Sequence, residues 1–551
     1  MTGGEVLMEC LLAQGGRIGF GVPGESYLAV LDAMRDREFR FVNARHEGGA
    51  AFMAEAWAKL TGEVGLCFVT RGPGATNAAI GVHSAMQSST PMILFVGQVG
   101  TDMRGREAFQ ELDYRAVFGT MAKWAVEIDD VDRIPEIMAR AYSVATSGRP
   151  GPVVIALPED MLTATTDSKP APATQRPEAA PDASDIAAIT QHLSQAKRPI
   201  LLAGGSGWTE TSRRALQALA ERLDLPVVVS FRRQDLMDNT SPCYAGDAGV
   251  GMAAATAGLL READVILTIN ARFGEMTTDG YTLLRVPNPE QILIHAHASD
   301  SELGKIYAPT LSIHAGPNRM IAALSDMHLP DSADRSAWRE RARAGVDAVL
   351  NVRPQPSPVD MVAVCAHLRE VLPADAVLTN GAGNFAVWPS RHIPVGGARN
   401  LLAPQSGAMG YGVPAAIAAS IESPERRVVC FAGDGDFQMT GMELATAAQE
   451  GATPIFLILD NGTYGTIRMH QERTYPSRVS GTDLKNPDFA ALAQACGLFG
   501  QRVARTEDFP AAFAAACASG TAAVLHLDIA AEALTPGQTI TEMRAAALNK
   551  G

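Results

Sequence analysis

The chain has 551 residues, 47% of them apolar, which is ample for several hydrophobic cores and points to three domains of ordinary size. A formal charge of −14 argues against a nucleic-acid partner or an acidic membrane surface. The seven cysteines form no Cys-x-x-Cys pair and mostly sit in apolar runs, and there is no leader-like or membrane-length apolar segment, so a reduced, soluble, cytoplasmic protein without a membrane partner is expected.

Residues 1–165 alternate short apolar strands with amphipathic helices. A helix over 3–15 leads to a strand over 18–22 and the turn Gly21-Val22-Pro23-Gly24. A strand over 41–44 runs into Arg45-His46-Glu47 and a helix over 48–60. A strand over 65–70 meets Gly72-Pro73-Gly74-Ala75-Thr76-Asn77 and a helix over 74–87, with further strands at 91–97 and 152–157. Such βα alternation predicts a doubly wound parallel sheet. The Pro-, Ala- and Thr-rich stretch near 166–184 has no periodicity and reads as a surface linker.

Residues 185–328 form a second α/β block, with strands at 199–203, 226–230, 265–269 and 291–295 and helices at 185–196 and 210–223. Its Gly204-Gly205-Ser206-Gly207 loop lacks the Gly-x-Gly-x-x-Gly spacing of a dinucleotide site and reads as a tight strand-to-helix turn. A second linker is expected over 329–357. The third block, 358–532, has a strand at 376–378 ending in Asn380-Gly381-Ala382-Gly383-Asn384, and a loop, 405–412, before a helix over 413–421. A strand at 427–432 then meets Gly433-Asp434-Gly435, a helix covers 441–450, and a strand at 454–459 ends in Asp460-Asn461-Gly462.

A strand, crossover helix and parallel strand make one βαβ unit, so Asp434 and Asn461 are expected side by side at the carboxyl edge of the sheet, where open α/β sheets bind ligands. A carboxylate, an amide oxygen and a loop carbonyl are hard ligands suited to Mg²⁺, which leaves other positions to water and phosphate oxygens. The adjoining glycines let main-chain N–H groups approach a diphosphate.

GVPG, RHEGGAAFMAEAWAKLTG, TRGPGATN, AFQE, RPGPV, SGAMGYGVPAA, GDGDFQMTGMELATA and DNGTYG occur in this order from about Gly4 to Asp528. Together they resemble the thiamine-diphosphate-dependent acetolactate synthase and 2-oxoacid decarboxylase family. The resemblance implies three α/β domains with doubly wound parallel sheets: 1–165 pyrimidine-binding, 185–328 central, and 358–532 diphosphate- and Mg²⁺-binding. It also implies a homodimer or homotetramer whose cofactor lies between the first domain of one subunit and the third of another.

By the same resemblance, Glu47 is the glutamate that bonds to the pyrimidine ring and promotes its imino tautomer, so that the cofactor's amino group can take the thiazolium proton. Met409 wedges the cofactor into a V shape, its N–H donating to the ring while the Gly407 carbonyl accepts from the amino group. Asp434, Asn461 and the Thr463 carbonyl are the metal ligands; Gly433, Gly435, Asp436, Phe437, Tyr464 and Gly465 lie along the diphosphate, with Asn384 as a further donor. Pro23 and Gly24 close the pyrimidine side, and Phe109, Gln110 and Lys123 line the way in for substrate. His83, Gln87, Arg468 and His470 are candidates for the substrate side.

The chain departs from acetolactate synthases at two acceptor-selecting positions. Their second arginine of Arg-Phe-Asp-Asp-Arg is here Met276, and a tryptophan position is His470. A methionine cannot hold a carboxylate through a bidentate charged bond. The central block lacks a clear signature for the FAD of those enzymes, which leaves FAD as a possible but doubtful cofactor. The reading is a lyase or carboligase that decarboxylates a 2-oxoacid and joins the remainder to a second carbonyl, with 2-oxoacids or aldehydes as substrates. The alternatives are a simple decarboxylase or benzaldehyde-lyase-like carboligase, a catalytically silent regulatory homologue, and a nicotinamide-dependent oxidoreductase using the Gly204–Gly207 loop.

Overall fold

The computed structural model describes residues 1–329, 334–397 and 400–549. Its strands form three six-stranded sheets, and every ladder described between them is parallel. The first contains β1 (Ile18–Gly21), β2 (Arg40–Asn43), β3 (Gly65–Val69), β4 (Met92–Gln98), β5 (Trp124–Glu127) and β6 (Pro152–Pro158), in the order β2-β1-β3-β4-β6-β5. The central strands β3, β4 and β6 are buried along their whole length, which is why GLCFV, MILFVGQ and PVVIALP run apolar without alternation. The edge strand β5 is only half-buried along its length, and at four residues it is too short to show a period in the sequence.

The second sheet contains β7 (Pro199–Ala203), β8 (Val227–Ser230), β9 (Tyr244–Ala248), β10 (Val265–Ile269), β11 (Ile292–His297) and β12 (Leu311–His314), in the order β12-β11-β10-β7-β8-β9. The third contains β13 (Val377–Asn380), β14 (Asn400–Leu402), β15 (Val428–Gly433), β16 (Ile455–Asp460), β17 (Phe499–Val503) and β18 (Ala523–Asp528), in the order β14-β13-β15-β16-β18-β17. Counted from its own first strand, the third sheet repeats the strand order of the first.

The chain divides into two compact units. One comprises residues 1–176, 379–385 and 402–531; the other comprises 177–378, 386–401 and 532–551. Within the first unit the helix Glu47–Thr61 is buried from Gly48 to Ala58. It packs on the helices Pro73–Ser88 and Gly412–Glu422, so alanines and glycines dominate its sequence. Glu55, wholly buried in this helix, accepts from Tyr411 Oη at 2.6 Å, from Thr90 Oγ1 at 2.8 Å and from Lys59 Nζ at 2.9 Å.

Three expectations change. Within the second unit, the expected linker over 329–357 contains the helix Ser336–Leu350; residues 330–333 of that stretch lie outside the described residues. The helix forms because Trp338 and Ala342, one turn apart, are both buried, and Trp338 Nε1 donates to Pro199 O at 3.0 Å. The expected Gly-Asp-Gly turn is the start of a helical turn, Asp434–Gln438, with Gly433 as its N-cap. The expected helix over 441–450 begins as a 3₁₀ turn, Gly441–Glu443, before the α-helix Leu444–Glu450. The Gly204–Gly207 loop is crowded: a Cβ on Gly205 would lie 2.2 Å from Asn270 O, and one on Gly204 2.4 Å from Ser230 Oγ. Packing accounts for these two glycines without a ligand.

Candidate functional site

The carboxyl edges of the first and third sheets carry nearly all the residues singled out above. After β1, Pro23-Gly24 lead into a 3₁₀ turn pinned to the end of β3, where Ser26 Oγ and Thr70 Oγ1 lie 2.9 Å apart. A Cβ on Gly24 would approach Thr70 Cβ to 2.5 Å, so this turn requires glycine. After β2, Glu47 is the first residue of its helix, whose N-cap is His46 with Nδ1 accepting from Gly48 N at 3.0 Å. After β3, the helix Pro73–Ser88 brings Asn77 to Glu47, and Asn77 Nδ2 donates to Glu47 Oε2 at 2.9 Å. Glu47 Oε1 is left facing Gly74, where an added Cβ would sit 3.4 Å away.

One face of the helix Pro73–Ser88 is exposed at Thr76, Asn77, Ile80 and His83, with Gln87 half-buried at its end. His83 therefore shares a stripe with the partner of Glu47. Phe109 is 72% exposed, and its carbonyl accepts from Arg71 Nε at 3.2 Å. Gln110 has φ +65°, beside Gly72. The Lys123 amine instead points into the first sheet's own packing, donating to Ser147 O at 2.7 Å and to Val144 O. Burial, with the charges of Arg149 and Arg176, pulls its pKa down to about 8.

At the third sheet, β15 and β16 are neighbours with Gly433 opposite Leu459, so Asp434 and Asn461 leave adjacent strands at the same edge. Asp434 is 3% exposed and accepts from Gly435 N at 2.9 Å and from Asn486 Nδ2 at 2.7 Å. Asn486 Nδ2 also reaches Asp460 Oδ1 at 2.7 Å, and His526 Nε2 lies 2.8 Å from Asp460 Oδ2. Burial raises the Asp434 pKa, with the nearby Asp460 charge adding to it. A desolvated carboxylate beside a second carboxylate is an environment that a bound cation relieves. Asn461 Oδ1 accepts from Thr463 N at 3.2 Å, and the Thr463 loop is held by Oγ1 donating to Thr482 O at 2.9 Å. Among the described residues no cluster of three or more His, Cys, Asp or Glu side chains offers a competing cation site.

The loops beside this edge are tied together by Asp436, whose Oδ1 accepts from Gly410 N at 2.9 Å and Ala382 N at 3.1 Å. Its carboxylate thus serves the protein's own backbone, leaving main-chain groups of the turn to meet an anion. Gly407 has φ +70°, and a Cβ there would meet nothing within 4 Å, so the loop of Met409 borders open space; Met409 itself is half-buried. The Tyr464 ring packs on Gly435, where a Cβ would come within 2.5 Å. Asn384 N donates to Thr466 Oγ1 at 3.0 Å, and Thr466 Oγ1 donates back to Asn384 Oδ1 at 3.1 Å. Arg468 lies 3.4 Å from Glu472 and 3.8 Å from Asp483, whereas His470 is exposed. Among the described residues no hydrogen bond joins Glu47 to the loops of Met409, Asp434 or Asn461.

Sequence reasoning passed over Asn77, Asn486, Glu443 and the Glu55–Tyr411 pair. A glutamate amid AAFMAEAWAKL was a visible signal, because a charge on an otherwise apolar helix needs a partner. Asn486 carried none: it comes from a polar loop distant from both strands.

Three domain models match the chain: thiamine pyrophosphate enzyme, N-terminal TPP binding domain, over residues 1–117; central domain, over 186–324; and C-terminal TPP binding domain, over 381–527. The acetolactate synthase isozyme 2 large subunit of Escherichia coli is 30% identical, across 96% of each chain. The acetolactate synthase large subunit of Corynebacterium glutamicum is 31% identical, across 92% of this chain and 83% of its own. The probable acetolactate synthase large subunit of Methanocaldococcus jannaschii is 30% identical, across 98% and 95%.

Proposed function

The chain belongs to the thiamine pyrophosphate enzymes of the acetolactate synthase large-subunit kind, and from that premise we propose that it uses thiamine diphosphate and Mg²⁺ to decarboxylate a 2-oxoacid and join the remainder to a second carbonyl. The observation that carries the reading is the register of β15 and β16, with Asp434 and Asn461 following them at one edge. When bound, thiamine diphosphate supplies an electron sink for the bond to the departing carboxylate.

The chain's own residues divide the remaining work. Asp434, Asn461 and the Thr463 carbonyl would hold the metal, and the turn carrying Gly435, Asp436 and Phe437 would border the diphosphate. Asn77 fixes one oxygen of Glu47, leaving Oε1 to hold or pass a proton at the pyrimidine ring. Met409, on a loop anchored through Gly410 N to Asp436, orients the ring system. The exposed stripe Thr76, Asn77, Ile80 and His83 supports an assembly in which a second copy's third sheet covers Glu47, as a homodimer or homotetramer. A cytoplasmic location accords with the reduced cysteines and with there being no helix, among the described residues, long and apolar enough to cross a membrane.

A second reading, an aldehyde rather than an oxoacid as acceptor, is favoured by Arg468. An incoming carboxylate would compete with Glu472 and Asp483 for its guanidinium. Turnover of pyruvate by the purified chain with thiamine diphosphate and Mg²⁺, with every product identified, separates the two. Acetolactate supports an oxoacid acceptor, acetoin supports the second reading, and acetaldehyde alone marks a simple decarboxylase. Loss of all turnover on omitting both cofactors is expected in either case.

A further inference from the structure

Glu443 is 1% exposed. Its carboxylate accepts from His46 N at 3.0 Å, from Arg45 N at 3.1 and 3.2 Å, and from Thr446 Oγ1 at 2.6 Å. Arg45 and His46 immediately precede Glu47, at the mouth of a helix whose first N–H groups have no intrahelical acceptor. We propose that Glu443 is the positioning residue for Glu47: a carboxylate from the third sheet's domain gathers these two N–H groups and fixes the backbone on which Glu47 stands.

Three features support this beyond the bonds themselves. A carboxylate has acceptor sites enough for two main-chain donors and a hydroxyl together, whereas a glutamine in the same place has a single acceptor oxygen. Negative charge is also favoured at a helix N-terminus. The third feature is Gly49. Glycine in a helix is destabilising relative to alanine, but here a Cβ would lie 2.3 Å from Glu443 Oε1. The Gly-Gly after Glu47 is thereby partly explained as clearance for this carboxylate. Glu443 also closes the segment that Asp434 opens, Asp434–Gln438 and then Gly441–Glu443. The stretch proposed to hold metal and diphosphate at one end holds the glutamate's helix at the other.

The inference rests on Glu47 acting as proposed above, and the test separates the two. In the full-length chain without cofactor, Glu443→Gln should speed amide hydrogen exchange at 45–48 by about tenfold or more, with the melting temperature within a few degrees of the parent. With Mg²⁺ and thiamine diphosphate bound, exchange of the thiazolium C–H for deuterium should slow by about tenfold or more, while cofactor affinity changes less than about threefold. Unchanged amide exchange in Glu443→Gln overturns the positioning role. So does normal deuterium exchange in a variant whose 45–48 amides are deprotected. A Glu47→Gln chain that exchanges the thiazolium proton at the parent rate would instead refute the role given to Glu47. Should Glu443→Gln fail to fold, Gly49→Ala serves in the parent, because its Cβ would displace Glu443 Oε1: amides 45–48 should exchange faster and the thiazolium C–H slower. Faster amide exchange with an unchanged thiazolium rate overturns the inference.

Discussion

Asn486 stands between two carboxylates, donating to Asp434 and Asp460 at 2.7 Å each. Replacing it with leucine leaves both oxygens without that donor and lets the proposed ligand Asp434 turn. We expect Mg²⁺ or Mn²⁺ affinity in the presence of thiamine diphosphate to fall by about 10–100-fold, the usual effect of losing an outer partner of a metal ligand. Titration followed by Mn²⁺ paramagnetic resonance measures it directly. Glu47→Gln is expected to lower kcat by about 10²–10⁴-fold, the range typical of general acid–base groups, with cofactor binding retained. At this scale the sequence was readable where strand periodicity does the placing: β15 and β16 end where their apolar runs end, which puts Asp434 and Asn461 together. It was unreadable where a side chain arrives from a distant loop, as with Asn486, or where a lysine has alternative surroundings. Lys123 pairs with main-chain carbonyls inside the first sheet's packing, an arrangement no local pattern announces.

The helices Glu47–Thr61 and Gly412–Glu422 meet at a seam whose polar centre is Glu55 with Tyr411, Thr90 and Lys59. Tyr411→Phe removes one charge-assisted bond from a wholly buried carboxylate and should destabilise the first unit by about 2 kcal/mol. Chemical denaturation at neutral pH would read this as a lower midpoint with an unchanged slope. Element types and order followed from alternating apolar runs and glycine-rich turns, since a buried parallel strand and an amphipathic helix leave different periods. What did not follow were edge strands such as β5, whose half-buried sequence carries neither period, and the helix Ser336–Leu350, whose short apolar stripe is surrounded by arginines. The Asp434–Gln438 turn was read as a loop because three of its five residues are aspartate or glycine. In the structure the turn begins at a glycine N-cap, and acidic side chains suit the first turn of a helix.

For the molecule as a whole, acid should act first on the second unit. His295, His297 and His392 are buried there, and burial lowers each pKa from 6.5 to about 4. Between those values the unfolded chain binds protons that the folded chain does not, so stability falls as pH falls from 6.5 to 4. The loss is on the order of 3 kcal/mol per imidazole. Urea unfolding followed across that range, by a probe in the second unit, should give a midpoint that drops steadily with acidification.

The division of the proposed site between Glu47, after a strand of the first sheet, and Asp434, after a strand of the third, has a genetic consequence. If each half-site is completed by another copy, a lesion at Glu47 and a lesion at Asp434 damage different halves. Two null alleles, Glu47→Gln and Asp434→Asn, carried in one cell should then complement each other, because mixed assemblies contain one site with both halves intact. Neither allele alone should restore growth that depends on the enzyme.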